Sequence, residues 1–528
     1  MIWVDRMVEE IKKRNFPLEI VDDMKTPSGR IHIGALRGVV IHDLVYKVLK
    51  EQGVNAKYTY VFDDHDPMDS IPLYLDYEKW EKYAGMQLYK IPSPIKGYKN
   101  FAYFYAKEFI DVFNQIDCHP EIIWGSRLYN SGQMNDVIKK ILDNSKKVRL
   151  IYRKFIKKTL PVDWHPFNAV CERCKKLGTT YVYKWDKKFV YYKCLPGLVK
   201  WATGCGYEGK ISPFNGTGKL PWKVEWAAKW MVLGVTVEGA GKDHMSKGGS
   251  HDIASVICKD VLNYPVPYPL TYEHYQIGGR KMSSSKGLGA SAKEISEILP
   301  PDILRFLIVR TPIQKAIDFD PKEEIVMKLY DDFDTCTKAY FQKIQSKIPK
   351  GKEGEVLLNL SRIFELSWIS ELPKTPLYIP RFRLIYSMIK ANLDALPLIE
   401  KQKGSSLTYD EKKIFTQRVL FAKKYLKQYK KSETISNQTK TTIKLKKDHI
   451  DFLNKLVKNL LKTNPKDKKI ISKVIFYTIK QCSQNPKEIF PILYFILIGE
   501  KQGPRISDII ATYGIKKTTD ILKRTSLI

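Results

Sequence analysis

"PLEIVDDMKTPSGRIHIGALRGVVIHDLVYKVLKEQGVNAKYTYVF", residues Pro17 to Phe62, sets the fold class of this chain. "PLEIVDD" reads as a strand and "KTPSGR" as a turn. "IGALRGVVIHDLVYKVLKEQG" carries apolar residues at helical spacing and stops at a glycine, and "NAKYTYVF" reads as a second strand. Strand, helix and strand at this spacing form a βαβ unit with parallel strands. A turn that delivers a strand into a helix N-terminus presents free backbone N–H groups and the positive end of the helix dipole, which suits phosphate. Ser28 and Gly29 tighten that turn, and Gly34 lets a flat group approach the backbone. His32 and Ala35, three apart, share one face of the helix start.

Working outward, the alternation continues with a helical stretch from about Lys99 to Gln115, the strand "PEIIWG", and mostly helical sequence from Ser131 to Ile156. Between Pro161 and Lys219 short, aromatic, β-prone pieces surround four cysteines, which reads as an inserted module. The α/β rhythm resumes in "KVEWAAKWMVLGVTVEGAG" and "GGSHDIASVICKDVL", and from about Pro300 the chain reads as helical with polar breaks. The expected organisation is α/β: a doubly wound, Rossmann-like (HUP-type) parallel-sheet domain in two halves, 1–160 and 220–290, split by a cysteine-rich insertion at 161–219. A linking helical region, 291–350, and a basic all-α region, 351–528, follow. No internal repeat is present.

At 528 residues and 44% apolar composition the chain is long enough for several cores. Its longest apolar run, Phe490 to Gly499, is half of the roughly 20 residues a membrane span needs, and its charged start is unlike a signal peptide. A cytoplasmic protein without membrane association is expected, as a monomer. The formal charge is +32, and residues 401–528 hold 29 Lys or Arg against 10 Asp or Glu. Such a surplus attracts polyanions, nucleic acid first among them.

A second stretch, "GGRKMSSSKG" (Gly278 to Gly287), sets Arg280, Lys281 and Lys286 around three serines between glycines. That composition suits a cationic loop that follows charge as it builds on a departing pyrophosphate. "HIG" after a first strand, followed about 250 residues later by "KMSSS", resembles the paired signature of class I aminoacyl-tRNA synthetases. "TPSGRIHIG", "LPWKVEWAAKW", "GVTVEGAGKDHMSKGGS" and "PPDILRFLIVRTP" are similar to the class I lysyl-tRNA synthetases, over about residues 1 to 345. The closing "IGEKQGPRISDIIATYGIKKTTDIL" resembles the end of a helical anticodon-binding domain.

The resemblance implies a lysine–tRNA ligase that uses Mg²⁺-ATP to form lysyl-adenylate and then charges tRNA(Lys). In that scheme His32 steadies the phosphates and Gly34 lies against adenine. Ser28, Gly29, Asp243, Gly248 and Gly249 belong to the ATP and catalytic set. Lys281, Met282, Ser283, Ser284 and Ser285 clamp the pyrophosphate. Family members often carry a second lysine where Ser284 stands, so Lys286 is the expected substitute. The lysine pocket is assigned to Thr26, Trp222, His244 and Tyr272, with Asp64 and Asp66 as possible partners of the ammonium group. The fourth position of the first signature wants a polar side chain and holds Ala35. Ser28, Lys25 or Arg37 is expected to supply the missing phosphate contact.

Cys171-x2-Cys174 has zinc-knuckle spacing, and Cys194 and Cys205 supply the remaining thiolates of a structural Zn²⁺ site. The basic helical region, interspersed with Tyr and Phe, suits unpaired anticodon bases. Two alternatives stay open at this point: a class I ligase for another amino acid such as glutamate, favoured by an arginine in the pocket, and a catalytically weakened tRNA-binding paralogue, for which Ala35 is the main sign.

Overall fold

A computed structural model of the chain describes residues 2–156, 159–277, 280–281, 291–436, 445–463, 467–498 and 505–526. Two compact units emerge. The first comprises Met1–Ser296, Pro301–Lys322 and Ser346–Leu372, and the second Glu297–Pro300, Glu323–Gln345 and Pro373–Ile528.

In the first unit, β1 (Glu19–Lys25), β2 (Ala56–Phe62) and β3 (Glu121–Trp124) precede the cysteine-rich stretch. That stretch contains β4 (Asn168–Ala169), β5 (Thr180–Trp185), β6 (Val190–Cys194), β7 (Glu208–Ile211) and β8 (Gly218–Lys219). Then come β9 (Val237–Gly241), β10 (Tyr268–Tyr272), β11 (Tyr275–Ile277), β12 (Arg280–Lys281) and β13 (Ile317–Asp318). Five of these form an all-parallel sheet in the order β10-β9-β1-β2-β3. The chain runs outward from β1 to β2 and β3, then returns to β9 and β10 on the other side of β1. The direction therefore reverses between β1 and β9, and a reversal of this kind opens a crevice beyond the carboxyl ends of the strands. The insertion builds the antiparallel pair β4–β8 and the antiparallel sheet β5-β6-β7.

Helix α1 (Trp3–Lys12) and helix α2 (Ile33–Glu51) follow the expected pattern. α2 packs on β1, β2 and β9, on α1, and on the helix Pro301–Val309. Being covered on several sides it buries polar groups as well as Leu36, Val40, Leu44 and Val48. Arg37, His42 and Asp43, its buried polar residues, each make hydrogen bonds. Asp43 Oδ2 accepts from Arg305 at 2.6 Å, while Arg305 Nε donates to the Leu366 carbonyl at 2.7 Å. This corrects the boundary expected at 350/351. The helix Lys352–Ser367 belongs to the first unit, where Arg362 also meets Asp5 at 3.1 Å and Glu51 at 2.6 Å.

Among its described residues the second unit is helical. Lys447–Thr463, Lys468–Gln481, Pro486–Ile498, Ile506–Tyr513 and Ile515–Ser526 surround a core that includes Leu453, Leu456, Ile475, Leu493 and Ile509. Arg418, buried in the same unit, is held by Asp334 at 2.5 Å. No helix among the described residues is long and apolar enough to cross a membrane.

Candidate active site

The carboxyl ends of β1, β9 and β10 and the start of α2 enclose a cavity of about 340 Å³. Thr26, His32, Gly34 and Ala35 line it from the first turn, and Trp222, Asp243, His244 and Tyr272, distant in sequence, line it from the far side. His32 stands at the N-cap of α2 in an extended conformation and its side chain makes no cap hydrogen bond. The first turn of a 19-residue helix thus opens at the cavity with its dipole uncompensated by any acidic side chain. The chain re-enters this rim from beyond residue 290: Ser291 bridges to His32, and Ala292 N–H donates to the Ile31 carbonyl at 3.0 Å. At the other flank Lys281 pairs with Gln276, next to the cavity residue Tyr275. Met282, Ser283, Ser284, Ser285, Lys286 and the Lys281 side chain lie outside the described residues.

On the opposite wall the helix Trp222–Leu233 and β9 build an aromatic slot. Trp222 and Trp226 stack with centroids 5.6 Å apart, and His244 meets Trp222 edge-on at 5.2 Å. Glu238 on β9 closes the slot's base, accepting from Trp226 Nε1 at 2.8 Å and from Trp230 Nε1. Its register partner on β1 is Asp22, so two carboxylates share one face of the sheet. Burial, with the like charges of Asp22 and Asp23 behind it, pushes the Glu238 carboxyl well above the usual carboxylate range. Asp23 lies toward α2 and is also raised by burial. His42 Nε2 accepts from Gly239 N–H at 3.0 Å, and its Nδ1 lies 3.6 Å from Asp23 Oδ2. Space here is tight: a Cβ on Gly38 would lie 2.7 Å from Tyr272 Oη and 2.8 Å from Asp23 Oδ2, so only glycine leaves both groups in place.

Beside the slot runs a buried ionic network. Lys229 pairs with Asp63 and, at 3.4 Å, with Glu225; Lys219 pairs with Asp66 and, at 2.8 Å, with Glu225. Burial lifts the Asp63 carboxyl to about 6. Burial opposes ionisation of Glu225 too, but Lys219 and Lys229 together draw that carboxyl down to about 2. Asp66 Oδ2 also accepts from Thr26 Oγ1 at 2.6 Å, which ties the cavity to the insertion's last strand, β8.

Other expected residues fall elsewhere. Asp64 accepts from Ser126 N–H and Oγ, both at 2.6 Å, and neither it nor Asp66 lines the cavity. The expectation that they meet an ammonium is therefore corrected: their oxygens are already committed to Ser126 and to Lys219 and Thr26. Ser28, Gly29, Gly248 and Gly249 also stand outside the lining. Arg37 is corrected as a phosphate ligand, because its buried guanidinium donates to the carbonyls of Glu273, His274, Pro312, Ile313 and Lys315. Lys25 does line the cavity, and burial lowers its pKa.

In the insertion the four sulfurs of Cys171, Cys174, Cys194 and Cys205 all lie within 4.8 Å of one another. Cys171–Cys205 is 3.7 Å and Cys174–Cys194 3.6 Å. A ZnS₄ tetrahedron with bonds of about 2.3 Å has edges of about 3.8 Å, so the donor set fits a closed structural site.

Residues 1–366 match the family described as tRNA synthetases class I (K). The chain belongs to that family. Among similar proteins, the lysine–tRNA ligase of Methanocaldococcus jannaschii is 32% identical, covering 97% of this chain and 98% of its own. That of Methanosphaera stadtmanae is 29% identical, covering 96% of each. A solved glutamate tRNA ligase from Elizabethkingia meningosepticum, at 10% identity and a TM-score of 0.41, covers 96% of this chain and 99% of its own. In this class I (K) synthetase the residues that sequence reading missed are Asp23, Trp226 and Glu238. For the two carboxylates the signal was present: acidic residues inside the strands "EIVDDM" and "VTVEGAG" have no solvent to face in a parallel sheet.

Proposed function

We propose that this chain is a lysine–tRNA ligase. The lysine carboxylate attacks the α-phosphorus of ATP, forming the lysyl-adenylate and releasing pyrophosphate; the terminal ribose hydroxyl of tRNA(Lys) then attacks the lysyl carbonyl and AMP departs. The observation that carries this reading is the charge of the cavity wall. Asp63, Asp243 and Glu273 each have a basic neighbour, Lys229, His274 and Lys242. Glu238 has indole hydrogen-bond donors but no salt-bridge partner among the described residues, and Asp23 has only His42, at 3.6 Å, and the charge of Lys25, two residues along its own strand. Two buried carboxylates at the base of an aromatic slot suit an alkylammonium side chain, with the rings covering its methylenes. The described lining contains no arginine, the residue that a glutamate side chain would call for.

The chemistry asks for no protein nucleophile, only position and charge. The start of α2 and His32 hold phosphate oxygens, Gly34 admits the adenine, and the lysines of 281–286 take the pyrophosphate. Mg²⁺ enters with ATP and supplies charge neutralisation on the phosphates. With Arg37 turned away, Lys25 takes over the phosphate contact that Ala35 does not make. Ala35→Asn is therefore expected to change the charging rate by less than about tenfold, because a compensated contact of roughly 1.4 kcal/mol or less is all that remains to be gained. A larger rise in a steady-state assay would remove Lys25 from this role.

Zn²⁺ in the cysteine cage holds the insertion's sheets together. Cys174→Ser is expected to abolish stoichiometric zinc by elemental analysis and to open residues 161–219 to limited proteolysis, since structural zinc contributes on the order of 10 kcal/mol to small folds. Retained zinc with unchanged proteolysis would refute the cage. The ligase reading itself is tested by ATP–pyrophosphate exchange with lysine, with and without tRNA. Exchange is expected once tRNA is present, and none under either condition, with tRNA still bound, would leave the weakened paralogue as the better description.

A further inference from the structure

A second cavity, of about 690 Å³, opens one strand over from the first, at the carboxyl ends of β2 and β3. The two share a wall: Asp63 lines the reaction cavity and its chain neighbour Asp64 lines this one. Two aromatic stacks lead from the interior to its lining. Phe62 stacks on Trp124 at 5.5 Å and Trp124 on Tyr103 at 5.6 Å; Tyr129 stacks on His65 at 4.6 Å and His65 on Tyr89 at 5.5 Å. Lys90, Lys99 and Arg127, all exposed, add three cations to the lining, with Lys90 Nζ 4.8 Å over the Tyr89 ring. The one carboxylate in that lining, Asp64, already spends both oxygens on Ser126. Half-buried ring faces bordered by lysine and arginine suit an unpaired nucleotide: the base stacks on a ring and the phosphate meets the cations.

We infer that this pocket holds an unpaired nucleotide of the tRNA 3′ end, immediately before the one whose ribose reacts. The inference rests on the ligase reading, which sends the terminal ribose into the adjoining cavity. Tyr103 supplies the stacking face, and Lys99 and Arg127 meet the phosphates on either side. A volume of this size accepts one base with its sugar and leaves the reacting nucleotide free to cross the Asp63–Asp64 wall.

The test is a binding cycle with the full-length protein: intact tRNA(Lys) and the same tRNA lacking its last three nucleotides, each titrated against the wild type, Tyr103→Ala and Tyr103→Phe. Truncation is expected to weaken binding to the wild type more than to Tyr103→Ala, by a further factor of about 5 to 150, the range for one stacked base. Tyr103→Phe keeps the wild-type loss, because the ring face is retained. Tyr103→Ala should also raise the KM for tRNA while leaving the KM values for ATP and lysine unchanged. Equal truncation costs in wild type and Tyr103→Ala would overturn the inference. So would binding of free 5′-CMP that Tyr103→Ala abolishes while the truncation costs stay equal, since that marks a mononucleotide site. Lysine charging by the wild type is scored separately: if it is absent, the ligase reading fails and the inference falls with it, whereas normal charging with equal truncation costs removes the pocket alone.

Discussion

Glu238→Gln is expected to raise the KM for lysine by about 150-fold or more while the KM for ATP stays within about twofold. The figure follows from leaving an ammonium without its buried carboxylate partner, about 3 kcal/mol or more at 1.36 kcal/mol per tenfold change. Glutamine keeps the shape, but Glu238 meets the indole N–H groups of Trp226 and Trp230 with separate oxygens and an amide has one, so one indole donor is left facing the amide NH₂. The indole donor left without its acceptor lowers the Tm of the free protein whichever role Glu238 has, so the pH profile of the KM, not the Tm, separates ammonium binding from a structural role. The pH dependence has a definite sign. Burial holds the proton on Glu238 to a higher pH than usual, and an ammonium prefers the ionised form, so the wild-type KM for lysine should fall as pH rises above the ordinary carboxylate range. In Glu238→Gln that fall should be lost or much reduced.

His32→Ala is expected to lower kcat by about 10²- to 10³-fold, the usual cost of removing one preorganised donor from a developing anion, with little change in the KM for lysine. The effect should fall on kcat because His32 sits at the phosphate end of the cavity, at the N-cap of α2, away from the Trp222–Trp226 slot. The imidazole makes no N-cap hydrogen bond, so helix capping is not what this variant loses. Pre-steady-state measurement of adenylate formation places the loss: a slow first step with normal transfer to tRNA is expected, and an unchanged first step would take His32 out of the phosphate contact.

Much of the site was readable because parallel strands deliver their carboxyl ends to one edge. Once "PLEIVDD" and "NAKYTYVF" are parallel, the turn after the first must face the turns after its neighbours, and Thr26, His32, Trp222, Asp243, His244 and Tyr272 do line one cavity. What escaped was charge in buried places. Lys229 within "VEWAAKWM" and Lys219 at the end of the insertion look like solvent-facing residues, yet both are buried and consume Asp63 and Asp66. Local spacing carries no trace of a partner more than a hundred residues away. Asp64 and Asp66 were selected for standing after a strand, and the competition from Ser126, Lys219 and Thr26 decided otherwise. Arg37 failed for a related reason: three residues beyond Gly34 its side chain points into packed carbonyls instead of the cavity. The helix Lys352–Ser367 was grouped with the basic region by composition, and Arg305 and Arg362 fix it to the first unit.

If buried carboxylates select a cationic amino acid, charging of one tRNA(Lys) transcript by the full-length protein with radiolabelled lysine and glutamate in parallel, reading kcat/KM for each, shows it. A site whose buried polar groups are matched to one side chain rejects a mismatched one by about 10⁴-fold, so lysine is expected to be preferred by that order. Equal or better charging with glutamate would contradict the assignment of Asp23 and Glu238.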